Sequence, residues 1–260
     1  MKPQVKILGY GEIGRGVHEV YKRAGWEGVA WKDLNGQEGP EQCDILHVCI
    51  PFTGMADFVD SVIEEVEESI PDFIVIHSTV QPGTTETLRK DIMELLDMDP
   101  VVVHSPVIGV HPNLADGILT FTKWIGCEQD DFEMAKNISD HFSSIHVDCR
   151  VVTPAAQTEI MKVWDTTYYG NCLAINAEVR KMLEENGCRY DTWVEYLKAY
   201  NQGYQALGMS NVTRPYFPNL TMPLGGHCIT PNQRILSQIT DSSALDMIKK
   251  FDPDHYEKTI

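Results

Sequence analysis

The hexapeptide Gly9-Tyr10-Gly11-Glu12-Ile13-Gly14 has the spacing G-x-G-x-x-G. It stands between a short apolar run, Val5-Lys6-Ile7-Leu8, and a segment with Ile13, Val17, Val20 and Ala24 on one helical face. Between a strand and a helix, the three glycines have separate tasks in holding a diphosphate. The first permits the tight turn and the second lets the pyrophosphate approach the backbone. The third packs helix against strand, so that the N-terminus of the helix faces the phosphates. Gly9, Gly11, Glu12, Ile13 and Gly14 are therefore expected to cradle a dinucleotide. Asp33 ends the next strand pattern about 20 residues further on, where a carboxylate accepts hydrogen bonds from both ribose hydroxyls and repels a 2′-phosphate. NAD is expected in preference to its phosphorylated form.

Ser78-Thr79-Val80-Gln81-Pro82-Gly83-Thr84-Thr85 closes another apolar run and opens another helical pattern, with Thr84 as the expected N-cap. Loops at the carboxyl ends of parallel strands line the ligand crevice, which makes Thr79, and Pro51 after the run 44–50, candidate cofactor contacts. His104 and His111 flank Ser105-Pro106 at the end of a further run and are candidate substrate contacts. His47 and His77 lie inside apolar runs and read as core histidines. Cys228 follows Gly225, Gly226 and His227, which sets a thiol on an open loop beside a histidine that can lower its pKa. Gly225 and Gly226 are expected to border the substrate. No H-E-x-x-H or comparable ligand spacing occurs, and no metal is expected.

These residues need a scaffold, and the pattern supplies one. Strand-like runs at 5–8, 28–31, 44–50, 73–76, 101–104, 123–126 and 145–148 alternate with helical patterns through the first 150 residues, which means βαβ units and a parallel sheet. From Thr153-Pro154 to Asn186-Gly187 only Gly170 interrupts a helical stretch, and a second helix is expected from about Asp191 to Leu207. The expected fold is α/β. A Rossmann-type doubly wound sheet over 1–152 precedes an all-helical domain, 153–260, built on one long helix.

With 260 residues, 43% apolar and 23% charged, the chain is an ordinary globular one of two domains. No apolar run approaches the roughly 20 residues that span a bilayer, and Met1-Lys2-Pro3-Gln4 leads directly into a strand pattern. A soluble cytoplasmic protein is expected. The 38 acids and 21 bases give a net charge of −17, which repels nucleic acid and anionic lipid. The run Glu64-Glu65-Val66-Glu67-Glu68 reads as a solvated helix face. Seven cysteines, odd in number and without a C-x-x-C pair, read as free thiols in a reducing compartment.

Taken together, several of these segments resemble the UDP-glucose/GDP-mannose dehydrogenase family, in order and over almost the whole chain. The stretch 78–85 matches its S-T-V-x-P-G-T-T signature, and Asp33-Leu34-Asn35 resembles its acidic ribose clamp. Asp44 to Pro51 resembles its fourth-strand region. Thr158-Glu159-Ile160-Met161-Lys162 resembles the start of its long central helix. Leu224-Gly225-Gly226-His227-Cys228-Ile229 is similar to its G-G-x-C segment, in the form found in its UDP-N-acetylmannosamine dehydrogenase branch. The resemblance implies a two-step oxidation of a primary alcohol to the acid, with Cys228 carrying thiohemiacetal and thioester and Lys162 moving a proton or stabilising an oxyanion. It places Thr166 and Asn232 at two further catalytic positions.

The chain departs from that pattern at particular residues. Thr166 replaces an asparagine and Asn232 an aspartate. Ser105-Pro106-Val107-Ile108 lacks the carboxylate of S-P-E-F, and His111 falls where a second acid would be. The third, nucleotide-binding domain of the family is expected to be absent. Two alternatives follow. One is a single-hydride β-hydroxyacid-type dehydrogenase working through Lys162, and the other is a non-catalytic NAD-binding protein. A small-molecule substrate is expected in either enzyme. A homodimer is expected through the long helix, around which Ile160, Val163, Trp164, Tyr168, Leu173 and Ile175 spread.

Overall fold

The structure, a computed structural model, describes residues 2–109, 112–224 and 228–253. His111, Gly225 and Gly226, three of the expected substrate contacts, lie outside them, as does His227. The chain divides into two compact units, Met1–Lys162 and Val163–Ile260. The division falls after Lys162 rather than after residue 152, because the first turns of the long helix pack with the sheet.

The first unit carries β1 (Val5–Leu8), β2 (Ala30–Asp33), β3 (Gly36–Glu38), β4 (Ile45–Val48), β5 (Phe73–Ile76), β6 (Val101–His104), β7 (Lys123–Cys127) and β8 (Cys149–Val152). They form one sheet in the order β3-β2-β1-β4-β5-β6-β7-β8. Its helices are α1 (Glu12–Arg23), α2 (Met55–Ser69), α3 (Thr84–Leu96), α4 (Leu114–Thr120) and α5 (Phe132–Ser144). Val17, Val20 and Tyr21 of α1, Leu114 and Ile118 of α4, and Ile138 and Phe142 of α5 join one core cluster. Phe58, Val62 and Val66 of α2 and Leu88 and Ile92 of α3 join the other. Helices thus cover both faces, and every residue of β1, β4 and β6 is buried, as a doubly wound sheet requires.

Four local expectations are corrected. The sheet is not wholly parallel: β3 turns back antiparallel on β2 through Leu34-Asn35, and β7 runs antiparallel to β6. The last strand is Cys149–Val152, not 145–148. Ile145 and Val147 are buried, but His146 takes φ +66°, so this apolar segment is a turn filling the core beneath α5. Thr84 is the first residue of α3 rather than its cap, with its hydroxyl bonded to the Gln81 carbonyl at 2.6 Å.

The fourth concerns the acidic run, which is not uniformly solvated. Glu65 is buried and receives Lys6 Nζ at 2.6 Å and Lys32 Nζ at 2.8 Å. Lys6 and Glu65 sit inside the fold because each supplies the charge the other needs there.

The long helix is α6 (Ala156–Glu185), followed by α7 (Tyr190–Ala206), α8 (Ile229–Ser237) and α9 (Ser243–Lys249). In the second unit Ala174 and Ala177 pack with Tyr190, Val194, Leu220, Leu224 and Phe251. Gly170 does not break α6. A Cβ there would come within 2.9 Å of Ile229 and 2.8 Å of Ile248, so the glycine is the notch that admits α8 and α9.

Candidate cofactor and substrate site

The glycine turn leaves β1 in a geometry that accounts for each glycine. Gly9 has φ +89°, and a Cβ on it would press on the Cys49 carbonyl at 2.8 Å. On Gly14 it would lie 2.0 Å from Gly9 O, so α1 packs against the turn with no room for a side chain. Gly11, the N-cap of α1, is different: a Cβ there would meet nothing within 4 Å. Tight packing at two positions and open space at the third is the arrangement a diphosphate needs at a helix N-terminus, where Glu12 and Ile13 begin the helix.

Asp33 is tied to this turn. Its Oδ2 accepts from Tyr10 N at 3.0 Å and its Oδ1 from Leu34 N at 2.7 Å. Each oxygen keeps a second lone pair for a ribose hydroxyl. The neighbouring lysine is committed elsewhere. Lys32 reaches Glu65 at 2.8 Å and Glu68 at 2.5 Å, and these bonds raise its pKa. Tyr10 stacks on Trp31 at 4.4 Å and caps the outer side of the turn.

Pro51 is exposed after β4, and Thr79 is half-buried after β5, the parallel neighbour. The two loops are joined by Ser78 Oγ, which donates to Ile50 O at 2.6 Å. The Ser78–Thr85 loop also has a partner that sequence reasoning missed. Glu159, buried in the first turn of α6, accepts from Gly83 N at 2.6 Å, Thr85 N at 2.8 Å and Thr85 Oγ1 at 2.6 Å. Burial raises its pKa, and the bonds from Thr85 and Gly83 hold it back. The N-terminus of α3 is therefore filled by the chain's own carboxylate. The only sequence signal was an acid placed three residues before Lys162.

His104 is fully buried, with Nδ1 2.8 Å from Thr158 Oγ1 and Nε2 3.1 Å from Ser78 O. Burial lowers its pKa to about 3. A neutral ring with both nitrogens engaged binds the loop to α6 rather than meeting a ligand, and the expected substrate contact is corrected to that extent. Lys162 is half-buried and donates Nζ to Val107 O at 2.9 Å.

In the second unit Cys228 stands at the N-cap of α8, half-buried, and Asn232 follows one turn later. Asn232 Nδ2 donates to Thr166 Oγ1 at 3.1 Å, and Thr166 Oγ1 donates to Val163 O at 3.0 Å. The fold thus joins Thr166 and Asn232 directly and Cys228 to them through α8. Of the other cysteines, Cys43, Cys49 and Cys127 are buried and Cys188 is exposed in the turn after α6. Among the described residues no group of three metal-ligating side chains occurs. No described helix is long and apolar enough to cross a membrane.

No family model matches the chain. It is 25% identical over 210 residues to the UDP-N-acetyl-D-mannosamine dehydrogenase of Methanocaldococcus jannaschii, covering 76% of this chain and 45% of that protein. The chain spans slightly less than half the length of the curated relatives it matches. The solved UDP-D-ManNAc dehydrogenase of Pyrococcus horikoshii shares the fold at TM-score 0.69 and 15% identity, over 95% of this chain and 68% of that one. The 3-hydroxyisobutyrate dehydrogenase of Mycobacterium tuberculosis shares it at 0.66 and 14%, over 98% and 95%. Sequence relatives and fold point the same way as the motifs: the chain is similar to nucleotide-sugar dehydrogenases.

Proposed function

We propose that the chain is an NAD-dependent dehydrogenase that oxidises the primary alcohol of a nucleotide sugar or related sugar. UDP-N-acetylmannosamine, the sugar nucleotide of its curated relatives, is the first substrate to test. The observation that carries the reading is the glycine turn, closed around Gly9 and Gly14 and open at Gly11, with Asp33 bonded to it. Bound there, a nicotinamide nucleotide supplies hydride acceptance. Gly11 and the first turn of α1 hold the diphosphate, and Asp33 takes the ribose hydroxyls. Pro51 and Thr79, on the joined loops after β4 and β5, border the far end. Lys32, held by Glu65 and Glu68, is not positioned to neutralise a 2′-phosphate, which supports NAD over NADP.

On the chemical side, Lys162 is proposed to move the alcohol proton and to stabilise oxygen charge. Cys228 is the proposed nucleophile toward the aldehyde. The thiol adds to the carbonyl carbon, and loss of a second hydride leaves a thioester that water cleaves. Thr166 and Asn232 are proposed to orient that step. Gly225, Gly226 and His111 keep their proposed substrate contacts, while His104 acts through Ser78. The exposed Ile160, Trp164, Tyr168 and Ile175 of α6 support a homodimer, whereas Val163 and Leu173 serve the core. Sedimentation as a monomer at micromolar concentration would refute the dimer.

One observation favours the single-hydride reading. Asn232 spends its amide on Thr166 and offers no acid for thioester hydrolysis. The test is NADH released per substrate consumed, with nucleotide sugars, free sugars and hydroxy acids. Two NADH per acid formed supports the Cys228 route, and one per aldehyde or keto product supports the alternative. No reduction with any alcohol, despite tight NAD binding, means a binding protein.

A further inference from the structure

Lys123, the first residue of β7, is buried, and the proposed chemistry does not use it. Its Nζ donates to Ser105 O at 2.6 Å and to Pro106 O at 3.2 Å. The next carbonyl along, that of Val107, receives Lys162 Nζ at 2.9 Å. Two amines therefore hold three consecutive carbonyls of one segment, from opposite elements. The Ser105 hydroxyl, buried and without a hydrogen-bond partner, adds no support of its own.

The Ser105 carbonyl has another donor. His77 Nδ1 lies 2.9 Å from it, and His77 Nε2 lies 2.8 Å from His47 Nδ1. His47 Nε2 meets Tyr21 Oη at 2.7 Å, and Tyr21 Oη meets His141 Nε2 at 2.6 Å. A carbonyl only accepts, so His77 donates from Nδ1 and must accept at Nε2. His47 then donates from Nδ1 and accepts the Tyr21 hydroxyl, which accepts from His141. Burial keeps His47 and His77 neutral, so each has a single proton to place. One carbonyl sets the direction of the whole chain, and Lys123 shares that carbonyl.

We propose that Lys123 is a positioning residue for Lys162: its buried amine fixes the Ser105–Val107 segment and thereby the carbonyl on which Lys162 rests. Burial lowers the Lys123 pKa to about 7. The charged and titratable groups acting around it are Cys49 after β4, His47 in β4, His77 after β5, His104 in β6, Cys149 in β8 and Lys162 in α6. None is a carboxylate, and the upward pull of Cys149 and Cys49 is outweighed by burial. Below about pH 7 the amine gains a proton and repels Lys162 across the segment both of them hold. The pH at which Lys162 is free to act is then set partly by a residue that touches no ligand.

The inference rests on the role given to Lys162 only for its consequence in catalysis, and its test does not use turnover. Acetylation of Lys162 by a small anhydride is followed by peptide mapping from about pH 6 to about pH 9. The chains compared are the unaltered protein, Lys123→Met and the exposed-lysine control Lys90→Met. The unaltered chain and Lys90→Met should show a break in the Lys162 rate near pH 7. Lys123→Met should lose the break and react roughly tenfold faster at about pH 8, as expected on releasing a charge-assisted hydrogen bond. Parallel Lys162 profiles with and without Lys123 would overturn the proposal.

If Lys123→Met does not fold, lysine labelled at Cε in the unaltered chain gives the same decision by NMR. A Lys123 titration near pH 7 mirrored in the Lys162 signal supports the coupling. A Lys123 midpoint above about 9, nearer the ordinary lysine value, overturns it. A failed dehydrogenase assay alters neither readout.

Discussion

The two units bury different kinds of polarity. Beneath the sheet lie Lys6, Glu65, Lys123, Asp131 and Glu159, together with His47, His77 and His104. The helical unit buries Thr167, Asn176, Asn232, Gln233 and Asp252, almost all uncharged at neutral pH. It also leaves Tyr168, Tyr169, Met182 and Tyr196 open to solvent. The difference follows from architecture. A strand covered on both faces gives Lys6, Lys123, His47 and His104 no route to water, so a charge there must be paired or lose its proton, and Glu65 is drawn in from α2 to pair with Lys6. A helix can turn such a group outward. Rigidity and titration therefore belong to the first unit, and adaptable surface to the second.

The largest effect should come from Glu65→Leu, which leaves the buried Lys6 ammonium without its anion. Breaking a buried pair in this way costs about 3–5 kcal/mol, whereas its helical-unit counterpart, Glu178→Ala opposite the exposed Lys250, should cost under about 1 kcal/mol. Urea unfolding of both variants decides, and equal losses would break the comparison. Glycines come next. Gly14→Ala drives a Cβ into a backbone carbonyl, so it should lose about 1–3 kcal/mol and its hold on NAD(H). Gly170→Ala presses on the side chains of Ile229 and Ile248 rather than on backbone and gains about 1 kcal/mol of helix propensity, so it should cost less than Gly14→Ala. Gly11→Ala sharpens the cofactor assignment: the melting temperature should hold while NAD(H) affinity falls about tenfold, the equivalent of 1.4 kcal/mol.

Acid should separate the units as well. Burial holds His104 at about 3, His141 at about 4, and His47 and His77 well below the ordinary value. The unfolded chain takes up these protons near pH 6.5 while the folded chain refuses them. Stability then falls as pH drops below about 6.5, by about 1.4 kcal/mol per pH unit for each histidine. The described part of the helical unit has no histidine. Melts across this range should show the loss, and His104→Asn should reduce its slope by one histidine's share, about 1.4 kcal/mol per pH unit; a flat profile in the unaltered chain would contradict the buried neutral rings. The smallest difference concerns thiols. Cys188 should react at once with a disulfide reagent, while Cys43 and Cys127, pushed up to about 12 and about 11 by burial, should react only on unfolding.

What could be read from the sequence was periodic or local. The alternation of apolar runs located six of the eight strands to within a few residues, and the glycine spacing placed the turn before α1. The miss at 145–148 arose because an apolar pair around His146 reads as a strand until its left-handed backbone is seen. Partnership across distance was not legible. Glu65 looked like one acid among several, because Lys6 and Lys32 lie far from it in the chain. His47 and His77 were recognisable as core histidines, but not as links ending on Ser105. Glu159 showed no sign of occupying α3, and Lys123 read as an ordinary strand residue.

The carboxylate of Glu159 at the start of α3 also bears on how fast an anion arrives. The protein carries −17, and this helix N-terminus, which would otherwise draw a phosphate, is cancelled from within. A dinucleotide bound as proposed would therefore approach against the general field, with the turn at Gly11 left as the local attraction. Added salt screens that repulsion over a Debye length of about 8–10 Å. The encounter rate of a negatively charged dinucleotide should accordingly rise with ionic strength, the reverse of ordinary electrostatic steering.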